Sequence, residues 1–168
     1  MSCYRRAALI AIALACATLA AQGAELRPFG RDSWKDMLAA AKGEPVIVHF
    51  WGLSCSICLA ELPEWGAFAA RHPRTRLVLI NWDRQPQDLK RIDATLEKSD
   101  LAGAENWVLG DEFEEKVRFN TDRAWIGELP RTRLIAADGT LTVFSGSADF
   151  AQLDDWLRQQ HGGAPARP

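Results

Sequence analysis

The sequence predicts an α/β fold, a three-layer sandwich in which a central mixed β-sheet carries helices on both faces. Three observations support this prediction. Strand and helix patterns alternate along most of the chain. Nearly continuous apolar runs, such as 77–80, are typical of central strands that are covered on both faces. A hairpin pattern followed by a last helix closes the chain and adds antiparallel pairing to the sheet.

Two helix patterns and two strand patterns fill the first half of the chain. Residues 33–42 place apolar side chains at i, i+3, i+4 and i+7 and stop before Gly43, which predicts a helix. Residues 45–51 and 76–82 are nearly continuous apolar runs and predict buried strands. Between these strands, residues 55–71 begin with good helix formers and predict a long helix.

The third helix and a short strand follow. Residues 87–98 carry apolar side chains on one side only, which predicts a helix with a solvated charged face. Residues 107–109 predict a short strand. Asp111 and Glu114 resemble a capping box, which predicts a helix over about 112–120.

The C-terminal part reads as a hairpin, a helix and a tail. Asp138-Gly139 is a typical hairpin turn, and it separates the predicted strands 129–136 and 140–144. A last amphipathic helix is predicted to begin at Asp149. Residues 162–168 are rich in Gly, Pro and Ala, and we expect them to be disordered.

Residues 1–23 have the composition of a secretory signal peptide. Arg5 and Arg6 form a basic start, residues 7–21 are uncharged and apolar, and small residues suited to a signal peptidase follow. The alternative is an uncleaved membrane anchor, although the apolar stretch is short for a span of about 20 residues. We therefore predict a single domain over 24–161, located in the periplasm or secreted.

Removal of that segment leaves a mildly acidic chain with a single cysteine pair. The full sequence has 20 basic and 22 acidic residues, and loss of Arg5 and Arg6 gives a net charge of −4. Nothing in this balance suggests a nucleic-acid surface. Cys3 and Cys16 leave with the segment, so Cys55–Cys58 remains in a compartment that permits disulfides. Because no third cysteine is left, any redox turnover requires an outside partner.

Cys55 and Cys58 lie where a predicted strand gives way to a predicted helix. The first turn of a helix has free N–H groups and the positive end of the helix dipole, and both favour a thiolate. Cys58 lies three residues on, along the same helical face, within bonding reach of Cys55. The pattern predicts a reactive Cys55 and a resolving Cys58 that form a reversible disulfide.

Two other interpretations of the C-x-x-C pair stay open. One is an inert structural disulfide, which exported proteins often contain. The other is half of a zinc site, although zinc takes about four ligands and the rest of the chain offers only scattered histidines.

The run Phe-Trp-Gly-Leu-Ser-Cys-Ser-Ile-Cys-Leu-Ala-Glu-Leu-Pro (50–63) resembles the active-site segment of the thioredoxin superfamily. It is most similar to the exported TlpA/ResA-like branch, which typically reads Phe-Trp-Ala-x-Trp-Cys-x-x-Cys-x-x-Glu-x-Pro. The resemblance covers roughly residues 32–160 and implies a thioredoxin-like fold. Ser54 departs from the pattern, because the branch often has Trp there. Glu61 matches the pattern, and we expect it to be a solvated or capping side chain.

The resemblance also assigns roles around a proline. Pro130 matches the proline that begins the hairpin strand in thioredoxin-like proteins, where the preceding peptide bond is cis and the residue faces the dithiol. The competing interpretation is an ordinary proline at the start of a strand. We assign Leu129 and Arg131, which flank it, to substrate binding. Arg131 replaces a hydroxyl residue of the pattern, so it could alter substrate choice or place a cation near the thiols.

His49 and Trp51 are the remaining candidates, both on the strand before the dithiol. His49 occupies the place of a buried acid in thioredoxins and of Asn in many TlpA-like chains. A histidine can do the same acid–base work, so we assign it a catalytic role, against the alternative of a hydrogen-bonded core residue. Trp51 is assigned to substrate binding, against core packing.

The predicted function is that of an extracytoplasmic thiol–disulfide oxidoreductase that reduces protein disulfides through Cys55 and Cys58. The resemblance implies a membrane thiol electron donor of the DsbD/CcdA type, disulfide-containing exported proteins as substrates, and cytochrome c maturation as one task. We expect a monomer, with no metal and no cofactor besides the Cys55–Cys58 disulfide. The alternative is a non-catalytic thioredoxin-like module that binds Cu(I) or a partner.

Overall fold

The computed structural model describes residues 23–110 and 113–162. Six strands and five helices alternate along these residues, except that the last two strands follow one another directly. In chain order they are β1 (Leu26–Phe29), α1 (Ser33–Ala40), β2 (Val46–Trp51), α2 (Ser56–Arg71), β3 (Arg76–Asn81), α3 (Leu89–Lys98), β4 (Glu105–Leu109), α4 (Glu114–Thr121), β5 (Arg131–Ile135), β6 (Leu141–Ser145) and α5 (Phe150–Gly162). None of these helices is long and apolar enough to span a membrane.

The strands form one mixed sheet in the order β1-β4-β3-β2-β5-β6. The neighbours β1 and β4, β4 and β3, and β3 and β2 pair in parallel. The neighbours β2 and β5, and β5 and β6, pair antiparallel. Because β2 and β3 are parallel, their C-terminal ends meet at one edge of the sheet. Because β5 runs the other way, its first residue lies at that same edge, where Arg131 pairs with Phe50.

Two apolar clusters cover the two faces of the sheet. Alternate residues of β2 point to opposite sides: Ile47 and Trp51 pack with α2, α3 and α5, whereas Val46, Val48 and Phe50 pack with α1 and α4. The predicted fold class, a thioredoxin-like sandwich with a central mixed sheet, is confirmed.

The predicted elements are found with small changes in their ends, except for one omission. β1 is absent from the prediction because its sequence, Leu-Arg-Pro-Phe, has a proline and an arginine and buries only Phe29 fully. Such a strand survives because it lies at the edge of the sheet, where proline is tolerated. The predicted signal peptide and tail lie outside the described residues, apart from Gly23 and Gly162, and so does Asp111 of the predicted capping box.

β5 is buried along its whole length although it carries two arginines. The Arg131 guanidinium bonds with Asp122, Glu128 and Ser145. Arg133 lies 4.1 Å above the Trp34 ring and donates to the carbonyl of Thr121. These contacts compensate for burial of the two cations and tie the loop before β5 to the sheet.

Gly66 is the position at which α2 packs most tightly on the end of α3. A Cβ added there would lie 1.9 Å from the carbonyl oxygen of Ser99, which is backbone and cannot rotate away. We expect Gly66→Ala to lower the free energy of unfolding by about 3 kcal/mol, at the upper end of overpacking effects. Urea unfolding measures this change.

Gly103→Ala is the matched control, since nothing lies within 4 Å of its added Cβ. Its free energy of unfolding should stay within about 0.5 kcal/mol of the wild-type value. Equal losses for both variants would contradict the packing described here.

Candidate active site

Cys55 and Cys58 form a disulfide at the N-terminus of α2, with their Cα atoms 5.2 Å apart. Cys55 has extended backbone angles and is the N-cap of the helix, and its Sγ accepts the Cys58 backbone N–H at 3.1 Å. After reduction, the same N–H and the helix dipole would stabilise a thiolate at Cys55. Cys55 is partly exposed, whereas Cys58 is fully buried. An outside disulfide can therefore reach only Cys55.

The loop before β5 ends at the edge of the sheet where β2 leads into the dithiol, as the topology requires. The Leu129–Pro130 peptide bond is cis. Pro130 is buried, and its carbonyl accepts the N–H of Gly146 at 2.9 Å. A Cβ on Gly52 would lie 3.2 Å from Leu129 Cδ1, so Leu129 reaches the segment that leads to Cys55. The structure thus brings Leu129 and Pro130 to the edge of the sheet that carries Cys55.

Arg131 and Trp51 do not present free side chains at the dithiol. The Arg131 side chain faces Asp122 and Glu128, with 8% of the residue exposed. Its charge is neutralised within the loop that holds Pro130. Trp51 is 1% exposed and packs in the cluster that contains Cys58, so it supports the loop from within the core.

His49 is completely buried on the face of β2 that α2 covers. Its ring lies 4.5 Å from the Trp65 ring, and its Nδ1 lies 3.0 Å from the Thr132 hydroxyl oxygen. Burial lowers the pKa of His49 to about 3, so the ring is neutral at physiological pH. The predicted acid–base role would have to be carried out by a neutral imidazole.

Glu61 is buried, so the expectation of a solvated or capping side chain is wrong. It is 7% exposed, its Oε1 accepts the Trp65 indole N–H at 2.6 Å, and its Oε2 accepts the Ala148 N–H at 3.1 Å. Burial raises the pKa of Glu61, and these hydrogen bonds offset part of that rise. Glu61 lies one turn after Cys58 on α2. That i, i+3 spacing, together with Trp65 at i+4, is the signal that could have predicted its inward position.

Asp83 is a second residue that sequence reasoning missed. It follows β3, and its Oδ2 accepts the Leu53 N–H and the Asn81 side-chain N–H, both at 2.8 Å. Its Oδ1 would lie 3.0 Å from a Cβ on Gly52, so any larger residue there would have to displace the Asp83 carboxylate slightly. Asp83 therefore fixes the backbone that leads into the dithiol. The position of an acid at the C-terminal end of a neighbouring parallel strand is the signal that could have predicted it.

A surface groove of about 630 Å³ lies beside Ser54, the residue that precedes Cys55. Ser54, Asp83 and Leu129 line one part, and the Arg84–Glu114 ion pair lines another. Ile126 also lines the groove and is 86% exposed, on a loop fixed by the hydrogen bond from Trp125 Nε1 to the Glu128 carbonyl, 2.9 Å long. Ile57, between the two cysteines, is 51% exposed. Apolar side chains therefore face solvent on the first turn of α2 and on the loop before β5.

Within residues 23–110 and 113–162, no group of three or more His, Cys, Asp and Glu side chains is placed to hold a metal ion.

Neither protein-family models nor curated protein sequences match this chain. Solved structures do. A secreted disulfide oxidoreductase of Mycobacterium tuberculosis, homologous to E. coli DsbE, is 22% identical, with a TM-score of 0.58 over 72% of this chain and 85% of that one. StoA from Bacillus subtilis is 25% identical, with a TM-score of 0.53 over 69% of this chain and 84% of that one.

A third neighbour is a thiol:disulfide interchange protein of the thioredoxin family from Chlorobium tepidum. It is 18% identical, with a TM-score of 0.59 over 73% of this chain and 83% of that one. The structural neighbours of the chain are therefore thioredoxin-like thiol–disulfide oxidoreductases. This chain has their fold and carries a disulfide-bonded C-x-x-C pair at the N-terminus of α2.

The buried neutral His49 predicts a specific pH dependence of stability. An unfolded histidine has a pKa near 6.5, whereas the folded value is about 3. Between these pH values the unfolded state binds more protons at His49 than the folded state does. The contribution of His49 to the free energy of unfolding therefore rises with pH and is lost as pH falls. Between about pH 7 and pH 4 this contribution is on the order of 3 kcal/mol. The raised pKa of Glu61 has the opposite effect on stability. Above pH 4.5 the folded state binds more protons at Glu61 than the unfolded state, so this contribution to the free energy of unfolding falls as pH rises.

The His49→Asn variant lacks the titrating ring, so we expect it to lose about 3 kcal/mol less than the wild type between pH 7 and pH 4 in urea unfolding. His72→Asn, at a partly exposed histidine, is the control and should keep the steep dependence that His49 causes. Parallel curves for the wild type and His49→Asn would contradict the burial of a neutral ring.

Proposed function

We propose that the chain is an extracytoplasmic thiol–disulfide oxidoreductase that reduces disulfides of exported proteins. The observation that carries this proposal is the asymmetry of the pair at the N-terminus of α2. Cys55 is accessible and lies where a thiolate is stabilised, whereas Cys58 is buried and bonded to it. An inert structural disulfide would not require that arrangement.

The exchange reaction proceeds in two displacement steps. The Cys55 thiolate attacks one sulfur of a substrate disulfide, the substrate S–S bond breaks, and the other substrate sulfur leaves as a thiolate. The Cys58 thiolate then attacks Cys55 Sγ in the mixed disulfide, which releases the second substrate thiolate. Two electrons pass from the dithiol to the substrate, and the Cys55–Cys58 disulfide forms. An outside dithiol, of the membrane DsbD/CcdA type, restores the reduced form by the same exchange in reverse.

Cys58 is buried, so its proton needs an acceptor inside the protein. Glu61 lies one turn further along α2, is buried on the same helix, and has a raised pKa that brings it closer to that of a thiol. We assign Glu61 the role of accepting this proton. His49 Nε2 lies 3.8 Å from Glu61 Oε1, so we assign His49 an effect on the protonation of Glu61 rather than a direct role at the cysteines.

Substrate recognition is assigned to the groove beside Cys55. Leu129 and the exposed Ile126 line this groove and offer apolar contacts, and the exposed Ile57 offers another between the two cysteines. The Pro130 segment lies at the same edge of the sheet, where its backbone would be available to pair with an extended substrate segment. Arg131 contributes by holding the loop in place.

The sequence of the N-terminal segment supports export to the periplasm or secretion. We propose that the exported protein is a monomer, either released by cleavage of this segment or anchored by it. One structural neighbour is a secreted disulfide oxidoreductase homologous to E. coli DsbE, and another is an exposed lipoprotein thioredoxin from Streptococcus pneumoniae. A more specific proposal is a role in cytochrome c maturation. Reduction of an oxidised peptide with a Cys-x-x-Cys-His sequence would test it.

Trapping of the mixed disulfide tests the mechanism. In Cys58→Ala the resolving thiol is missing, so we expect covalent complexes with disulfide-containing exported proteins that a reducing agent releases. Cys55→Ala is the matched control and should trap nothing, since its remaining thiol is buried. Non-reducing electrophoresis followed by mass spectrometry identifies the complexes.

Absence of trapped species with Cys58→Ala, or equal trapping by Cys55→Ala, would contradict the proposal. Stoichiometric, tight Cu(I) binding by the reduced wild type, combined with negligible disulfide reduction, would favour the alternative of a non-catalytic metal module.

A further inference from the structure

Three buried side chains form a line beneath the dithiol helix, one each from β5, β2 and α2. Thr132 is fully buried, and its hydroxyl oxygen lies 3.0 Å from His49 Nδ1. His49 Nε2 lies 3.8 Å from Glu61 Oε1 and has no hydrogen-bond partner. The line therefore ends at the carboxylate to which we assign the Cys58 proton.

The hydrogen-bonding capacity of Thr132 decides which nitrogen of His49 carries the proton. A threonine hydroxyl has one donor, and within the described residues the contact with His49 Nδ1 is the one bond that this side chain makes. If Thr132 donates, Nδ1 is the acceptor, and the proton of the neutral ring lies on Nε2. If Nδ1 donated instead, the buried hydroxyl would lose its only acceptor. The Nε2 lone pair would then face a carboxylate oxygen.

The first arrangement leaves one unmet group, the Nε2–H, and Glu61 Oε1 is the carboxylate oxygen near it. The distance of 3.8 Å is too long for a hydrogen bond, but the N–H dipole still favours the ionised carboxylate in a site of low dielectric. The Trp65 and Ala148 N–H groups already donate to Glu61. Within the described residues, Glu64 on α2 is the charged group whose field reaches Glu61, and its negative charge opposes ionisation of Glu61.

We propose that Thr132 holds His49 in the Nε2–H tautomer and that His49 thereby keeps Glu61 deprotonated and able to accept the Cys58 proton. His49 and Thr132 are positioning residues that act through Glu61. The inference rests on the proposed function for its consequence, but the tautomer itself can be measured without any exchange activity.

The ¹⁵N chemical shifts of the imidazole of His49 in the full, oxidised chain report the tautomer directly. We expect a protonated Nε2 and an unprotonated Nδ1 in the wild type. Thr132→Ser keeps the hydroxyl and should keep this pattern, whereas Thr132→Val removes it and should shift the ring toward protonated Nδ1. His72, which is the C-cap of α2 and whose Nε2 lies 2.6 Å from Asp154 Oδ1, is an internal reference.

A wild-type spectrum with the proton on Nδ1 would overturn the proposal, and so would a pattern that Thr132→Val leaves unchanged. The wild-type spectrum decides the question even where Thr132→Val does not fold.

The functional consequence has its own readout. In Thr132→Val, Glu61 holds its proton to higher pH, so resolution of a preformed mixed disulfide should be about threefold slower near pH 6 and unchanged near pH 9. Glu61→Gln should remove this pH dependence in both backgrounds. An equal loss at both pH values in Thr132→Val would indicate a merely structural role and overturn the inference. Failure of the wild type to exchange at all would contradict the proposed function instead, and would leave the spectrum as the test of the tautomer.

Discussion

The position of β2, between a parallel and an antiparallel neighbour, is the constraint on which the rest of the site depends. The parallel pairing with β3 brings Asp83 to the edge where β2 ends, and the antiparallel pairing with β5 brings Pro130 there. Cys55 follows β2 by a few residues and is the N-cap of α2, so it lies at the same edge of the sheet. A hydrogen bond of 2.8 Å from the Leu53 N–H then fixes the connecting backbone on Asp83. Strand order alone thus assembles segments that lie far apart in the chain.

Charge is distributed around this edge in two ways. The cations of β5 are compensated locally, Arg131 by Asp122 and Glu128, and Arg133 by the Trp34 ring and a backbone carbonyl. Beneath α2 the opposite holds, because a neutral histidine and a carboxylate share a buried space and no cation of the described residues pairs with them. The first arrangement makes the Pro130 loop rigid. The second leaves a carboxylate whose protonation responds to its neighbours, and such groups are common at functional sites.

Much of this could be predicted from the sequence, because it depends on local patterns. The apolar runs of β2 and β3 and the helix formers after Cys55 indicate the central elements, and the C-x-x-C spacing indicates the dithiol. The features that could not be predicted, the burial of Glu61 and the pairing of Arg131, depend on tertiary contacts that local sequence patterns do not show. Glu61 is a charged residue with mostly apolar neighbours in α2, but its partner Ala148 lies 87 residues away in the chain, and only the folded structure shows that contact. Arg131 looks like a free cation until Asp122 and Glu128 are placed beside it.

The equilibrium reduction potential of Cys55–Cys58, measured in defined thiol buffers, tests most directly whether the pair is a reversible reductant. We expect full reversibility and a potential near that of thioredoxin, roughly −270 mV. A value near roughly −120 mV, as for a strong oxidant, would reverse the direction of electron flow proposed here. A disulfide that no buffer reduces would make the bridge structural and contradict the enzymatic function.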